Sequence, residues 1–133
     1  MRHPSLALAA FFLFTCGSAS AQTVQTETPI KRTIITRGDV SVPGREAVVA
    51  QVEIAPGALA GRHTHPGDEI SYFLGGEGEL LIDGQPPRRM KAGEAFVIPA
   101  GVVHAARNPG TEPARLVGVY IVEKGQPLAT PAK

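Results

Sequence analysis

Apolar and polar residues alternate in several short segments of this chain. In residues 46–55 every second residue is apolar, and the run ends at Pro56-Gly57. A period of two is typical of a strand with one buried face. Similar short runs occupy 33–36, 70–74, 79–82, 96–98 and 115–122. Beyond residue 21 no segment repeats apolar residues at the helical spacing over three turns, so the pattern predicts an all-β chain.

Turn-forming residues separate the predicted strands. The 133 residues include 15 glycines and 12 prolines, and Asp83-Gly84 is a strong signal for a tight hairpin. Short strands with glycine and proline turns between them predict a β-sandwich or a small barrel. We expect both aromatic residues of the 70–74 run, Tyr72 and Phe73, to lie in its core.

The N-terminal segment has the three-part pattern of a secretory signal peptide. A short polar start precedes an apolar run at 6–14, small residues follow, and Ala19-Ser20-Ala21 gives a cleavage site before Gln22. We predict cleavage after Ala21 and a periplasmic or secreted protein that no membrane holds after cleavage. The alternative is a lipoprotein with its lipid on Cys16, although Thr15 stands where such sequences usually have Gly, Ala or Ser.

The length of the chain favours one domain. We predict a signal peptide at 1–21, a flexible N-terminal segment at 22–30, a β-barrel at 31–124 and a flexible C-terminal tail at 125–133. The chain has 13 Lys and Arg against 12 Asp and Glu and contains no basic run, so it lacks the electrostatic footprint of a nucleic-acid-binding protein. Cys16 is the only cysteine, so cleavage leaves a chain with no disulfide and no thiolate ligand.

The histidines of the predicted mature chain fall in two separate blocks. His63 and His65 lie two residues apart, and side chains at that spacing on an extended segment point to one face. His104 is distant in sequence and lies near them only if its strand pairs with the segment that carries His63 and His65. Glu69 follows beyond the turn-prone Pro66-Gly67, where the chain can bend its carboxylate back toward the two rings.

Three imidazoles and one carboxylate suit one divalent transition metal, such as Mn, Fe, Co, Ni, Cu or Zn. A six-coordinate metal keeps two open positions with these four ligands, whereas zinc can be satisfied by the four and be structural. Asp68, beside Glu69, is the alternative carboxylate. Arg62, Arg107 and Arg115 are candidates to hold an anionic substrate, although exposed arginines on strands are far commoner.

Both blocks resemble the two motifs of the cupin superfamily. The first reads Gly57-x5-His63-x-His65-x3-Glu69-x6-Gly76, and the second reads Gly93-x5-Pro99-x-Gly101-x2-His104-x3-Asn108. Sixteen residues separate them, as in a small single-domain microbial cupin. The resemblance implies a double-stranded β-helix, or jelly roll, with His63, His65, Glu69 and His104 binding one metal inside the barrel. It also implies a homodimer. We expect Asn108 to cap a turn rather than to bind metal.

Two functions fit this resemblance. The first is a metal-dependent enzyme acting on a small organic molecule, either dioxygenase-like or similar to cupin isomerases and decarboxylases. In that case Glu69 is a candidate catalytic residue, serving as a general base if burial raises its pKa. The alternative is a non-enzymatic module that binds a small ligand or a structural metal. The sequence indicates neither the substrate nor which metal is bound.

Overall fold

The computed structural model describes residues 29–133, so the predicted signal peptide, Cys16 and most of the predicted segment 22–30 lie outside the described residues. Every regular element in the described part is a β-strand, which confirms the all-β prediction. None of the described residues forms a helix of the length and apolar character needed to cross a membrane. The ten strands run in chain order: β1 Ile30–Asp39, β2 Arg45–Ile54, β3 Leu59–Thr64, β4 Gly67–Gly75, β5 Glu77–Ile82, β6 Arg88–Lys91, β7 Ala95–Ile98, β8 His104–Arg107, β9 Ala114–Glu123 and β10 Thr130–Pro131.

The described strands form two five-stranded sheets, and neighbouring strands in each sheet pair antiparallel. One sheet has the order β1-β2-β9-β4-β7, and we call it sheet A. The other has the order β10-β3-β8-β5-β6, and we call it sheet B. Consecutive strands often lie in different sheets, so the chain crosses repeatedly between them. Residues distant in sequence, such as those of β3 and β8, therefore become neighbours.

The core lies between the two sheets and is built from the inward positions of the alternating strands. On β2 the buried positions are Val48, Ala50, Val52 and Ile54, as the period of two predicts. Apolar side chains of sheet A meet those of sheet B in one main cluster: Val52, Ile54, Phe73, Leu80, Met90, Phe96, Ile98, Ala114 and Leu116.

Strand β4 shows where the prediction of the core was wrong. Phe73 is buried, but Tyr72 is 48% exposed because it lies on the outer face with Ile70 and Leu74. The inward positions of β4 instead include the polar residues Glu69 and Ser71. The more apolar side of this strand therefore faces solvent, and the polar side faces the interior.

The ends of the described chain are also more ordered than the sequence indicated. Strand β1 begins at Ile30 and pairs with β2 along its whole length, whereas we expected only a short edge strand at 33–36. The C-terminal residues, predicted as a flexible tail, include β10, which pairs with β3 at Thr130 and Pro131. Leu128 packs against the buried residues Val48 and Tyr120. The tail therefore belongs to the folded unit.

Candidate metal centre

The three histidines meet where β3 and β8 lie side by side. His63 on β3 and His104 on β8 are register partners, so the pairing that the sequence required is present. His65 follows directly after β3, and its ring centroid lies 4.9 Å from that of His63 and 5.1 Å from that of His104. One ligand nitrogen of each ring lies within 4.8 Å of the others. His65 and His104 are buried, and His63 is half-buried.

Glu69 approaches the histidines from the opposite sheet. Its Oε2 atom lies 3.0 Å from Nε2 of His65 and 3.2 Å from Nε2 of His104. The Ser71 hydroxyl donates a hydrogen bond of 2.7 Å to the other carboxylate oxygen, Oε1. Glu69 is 5% exposed. The site therefore lies inside the barrel and combines a carboxylate from sheet A with histidines from sheet B. Asp68, the alternative carboxylate, is exposed and accepts a hydrogen bond from the amide of Ala100.

A backbone carbonyl fixes each imidazole through its Nδ1 atom. Nδ1 lies 2.7 Å from Gly61 O in His63, 2.5 Å from Leu128 O in His65 and 2.9 Å from Val102 O in His104. A carbonyl oxygen only accepts hydrogen bonds, so each Nδ1 carries a proton and donates it. In a neutral ring the Nε2 atom then has a free lone pair, which is the tautomer that binds metal through Nε2.

The Nε2 atoms of His65 and His104 are buried and have no hydrogen-bond partner among the described residues. When these rings are neutral, the nearby Glu69 carboxylate does not satisfy them, because an ionised carboxylate and an imidazole lone pair are both acceptors. Buried polar atoms without partners are rare and call for an explanation. A cation between these atoms supplies one, and neighbouring ligands of an octahedral metal lie roughly 3 Å apart at ordinary bond lengths. The residues therefore fit a divalent metal.

Burial and charge shift the ionisation of these groups in different directions. Burial raises the pKa of the Glu69 carboxyl, but contacts with His104, His65 and Ser71 outweigh it and hold that pKa well below its usual range. Burial lowers the pKa of His63. Burial has the same effect on His104, but Glu69 and the Val102 carbonyl more than offset it and raise the pKa of His104. The raised pKa that we set as the condition for Glu69 as a general base is not found, and its catalytic role stays a prediction.

A turn before β8 places His104. Gly101 adopts a φ of 73°, a conformation that favours glycine, and its amide donates a hydrogen bond to the carbonyl of His65. The Pro99-x-Gly101 motif therefore links the entry of β8 directly to the residue after β3. Asn108, the residue after β8, is fully buried. Its amide donates to the carbonyls of Ile54 and Glu112 and accepts from Gly110, which confirms the predicted turn role.

A cavity of about 40 Å³ adjoins the site, bordered by His63, Glu69 and His104 together with Arg32 and Tyr120. Sequence reasoning missed the last two residues. Tyr120 is 1% exposed, and its ring packs against His65 with the centroids 4.8 Å apart. Burial and the charge of Glu69 raise the pKa of Tyr120 to about 12. Space for this ring comes from Gly118, where an added Cβ would lie 2.7 Å from the Tyr120 hydroxyl.

Residues 50–127 match the Cupin domain family Cupin_2. The chain is a cupin. The match includes both histidine blocks and the strands that carry them, and the family prediction made from the two motifs is confirmed. The cupin resembles a double-stranded β-helix domain protein from Klebsiella pneumoniae with a TM-score of 0.62 and 25% identity, over 76% of this chain and 84% of that chain. The predicted jelly roll is therefore confirmed.

Two curated relatives share part of this sequence, and one of them is named as an enzyme. The cupin is 47% identical over 45 residues to the dimethylsulfoniopropionate lyase DddQ of Ruegeria pomeroyi, over 34% of this chain and 22% of the lyase. The crystal structure of that lyase matches with a TM-score of 0.59 and 28% identity, over 65% of this chain and 43% of that chain. The cupin is also 32% identical to the rice germin-like protein 5-1, over 80% of this chain and 50% of that protein. It therefore spans half or less of the length of these curated relatives.

Proposed function

We propose that this cupin is an exported metal-dependent enzyme in which His63, His65, Glu69 and His104 hold one divalent transition metal. The observation that carries the proposal is the pair of buried Nε2 atoms of His65 and His104, which have no hydrogen-bond partner within residues 29–133 and face the same carboxylate oxygen. Export rests on the signal-peptide pattern of residues 1–21 and the cleavage site at Ala21.

The cavity is compatible with catalysis because it leaves space for a few atoms beside the metal centre. A bound metal supplies a Lewis acid for a carbonyl or enol, or a redox centre for dioxygen. The protein holds the three rings by their Nδ1 protons and holds Glu69 through Ser71. The apolar walls limit water around the substrate. Tyr120 stays protonated at neutral pH, because its pKa is about 12, and its hydroxyl is therefore available as a donor.

The class of reaction is the finer part of the proposal. A dioxygenase-like reaction and an isomerase-like or decarboxylase-like reaction both use the same metal centre. The match to a protein named as a lyase supports an enzyme, although that match covers a minor part of the lyase. Metal analysis followed by measurements of oxygen consumption on small enols, thiols and phenols distinguishes the two classes.

The test begins with protein purified without chelator. We expect about one transition metal per chain in the wild type, and severe loss of metal in His65→Ala, because this substitution removes a buried ligand. Circular dichroism shows whether the variant keeps its strands. Full metal occupancy in a folded His65→Ala variant would place the metal elsewhere and contradict the proposal.

The second candidate is a non-enzymatic module that binds a small ligand or a structural metal. The small size of the cavity favours it, because about 40 Å³ admits only a few atoms beside the metal centre. Turnover of any substrate by the metal-loaded protein, abolished by chelation and restored by metal, would contradict this candidate. Metal that stabilises the fold without any turnover would favour it.

A homodimer is the assembly that we propose for this cupin. The outer face of sheet A carries exposed apolar residues on adjacent strands, where Ile70 of β4 is the register partner of Val97 of β7. Tyr72 and Leu74 extend this face, and about half of each side chain is exposed. Such a face is suited to burial against a second copy. Light scattering that gives the mass of a dimer for the wild type and a monomer for Tyr72→Lys supports this assembly.

A further inference from the structure

Arg32 is the cation that borders the cavity of the candidate metal centre. It lies on β1, where its register partner is Val52, a core residue of β2. Residues paired across two strands point to the same face of the sheet, so Arg32 points toward the interior side of sheet A. Arg32 and the predicted ligands His63, Glu69 and His104 border the same cavity.

The guanidinium of Arg32 is held in place without being neutralised. Its carbon atom lies 5.8 Å from the centroid of the Tyr120 ring, at the distance of a cation–π contact. Within residues 29–133 no carboxylate forms an ion pair with it. The three arginines that we considered from the sequence are placed differently: Arg62 pairs with Asp83, Arg107 pairs with Glu79, and Arg115 is exposed on β9.

The charges around the cavity favour an anion. Glu69 is the only carboxylate that borders it among the described residues. A divalent metal and the Arg32 guanidinium together exceed the single negative charge of Glu69, so the loaded cavity has a net positive charge. Such a charge attracts an anionic ligand. A carboxylate fits best, because its two oxygens match the planar fork of a guanidinium.

We propose that Arg32 binds the carboxylate group of the substrate and thereby selects small carboxylic acids for this site. The inference rests on the proposed function, because it places the substrate beside the metal centre. The cavity limits the part of the substrate next to the metal to a few atoms. Arg32 itself is solvent-exposed, so the remainder of a longer substrate extends past it toward solvent.

The test measures binding of acetate by isothermal titration calorimetry, with both cobalt-loaded and metal-free protein. Arg32→Met keeps an apolar stem against Tyr120 and removes the charge, and Arg32→Lys keeps the charge without the fork. Lys31→Met is the matched control, because it removes one positive charge from the adjacent position of β1, on the opposite face. Acetamide is the neutral analogue of acetate, and sulfate tests for a general anion site.

We expect acetate to bind the wild type and the control with equal affinity within about twofold, and acetamide not to bind. Arg32→Met should weaken acetate binding about tenfold or more, which is the range for loss of a charge-assisted hydrogen bond. Arg32→Lys should weaken acetate binding less than Arg32→Met does, because it keeps the positive charge. Equal acetate affinity in Arg32→Met and wild type, no acetate binding by the wild type, or tighter binding of sulfate than of acetate would each overturn the proposal.

Metal content separates this proposal from the proposed function. All four proteins should hold the same amount of cobalt, because none of the substitutions changes a predicted ligand. If no protein binds cobalt, the proposed metal centre is contradicted, and the proposal for Arg32, which rests on that centre, is overturned with it. If cobalt binds but Arg32→Met does not alter acetate affinity, the metal centre stands and the role of Arg32 is contradicted.

Discussion

Nε2 of His65 lies 3.0 Å from Oε2 of Glu69, although neither atom has a proton to donate when His65 is neutral. His65 directs its Nδ1 proton to the carbonyl of Leu128, and Glu69 is held as a carboxylate by its neighbours. Two acceptors this close repel each other unless a proton or a metal cation lies between them. Nε2 of His104 lies 3.2 Å from the same oxygen, so Oε2 of Glu69 is close to the Nε2 atoms of both rings.

This arrangement predicts that Glu69→Gln weakens metal binding by about 10-fold to 100-fold or more, because the variant loses the anionic ligand and adds an amide beside two lone pairs. The measurement is a competition between the protein and a chromophoric chelator for zinc or cobalt. Asp68→Asn is the matched control, because Asp68 is the adjacent carboxylate and is exposed. Unchanged metal affinity in Glu69→Gln, or equal losses in both variants, would contradict the assignment.

Metal affinity should fall as the pH falls from about 8 to about 5.5, because a metal binds only neutral imidazole and protons compete for it. The raised pKa of His104 makes this ring the first to compete, beginning above the ordinary histidine pKa. The lowered pKa of His63 makes that ring compete only at lower pH. Metal retained during dialysis against a weak chelator at each pH gives the profile, and circular dichroism verifies the fold. Flat retention across this range would contradict the predicted histidine ligands.

Asn108→Ala should lower the free energy of unfolding by about 2–3 kcal/mol. The substitution removes the side-chain amide that donates hydrogen bonds to the carbonyls of Ile54 and Glu112. Denaturant unfolding of the metal-free protein measures this loss. Gln85→Ala is the control, because Gln85 is exposed in the turn after β5 and its backbone bond is retained. A loss equal to that of Gln85→Ala would show that the Asn108 side chain contributes little.

Removal of residues 126–133 should weaken metal binding about tenfold, although none of these residues is a predicted ligand. The deletion removes the Leu128 carbonyl that orients His65, and it removes the pairing of β10 with β3. Leu128→Met is the control, because it keeps both the carbonyl and an apolar side chain. Full metal affinity in the shortened protein would show that the tail does not orient the ring.

The sequence predicts the strands and the ligand cluster because both depend on short-range patterns. Alternation locates β2 and β9 within a residue or two, and the spacing within each motif identifies the three histidines that lie together, His63, His65 and His104, while Glu69 stays a predicted ligand. Pairing of β3 with β8, which brings the two motifs together, followed from the resemblance to cupins rather than from periodicity. The family fold and the local patterns therefore gave complementary parts of the prediction.

Side-chain positions that depend on tertiary contacts could not be read in the same way. Hydrophobicity alone predicts that Ile70 and Tyr72 point into the core. In the structure Glu69 faces the histidines, and because side chains alternate along a strand, the apolar residues of β4 point outward. Sequence reasoning missed Arg32 at the cavity because the residues of β1 do not reveal how β1 aligns with β2. Tyr120 lay in a predicted strand, but nothing local indicated that its ring packs on His65.

The carbonyl that holds His65 belongs to the main chain of Leu128. Almost any amino acid at position 128 offers the same oxygen, so substitutions there leave the alignment of the ring intact as long as the path of the backbone is kept. An insertion or deletion between Gly125 and Thr130 acts differently, since it shifts that oxygen. In engineering this cupin, the length of this connection therefore matters more than its composition.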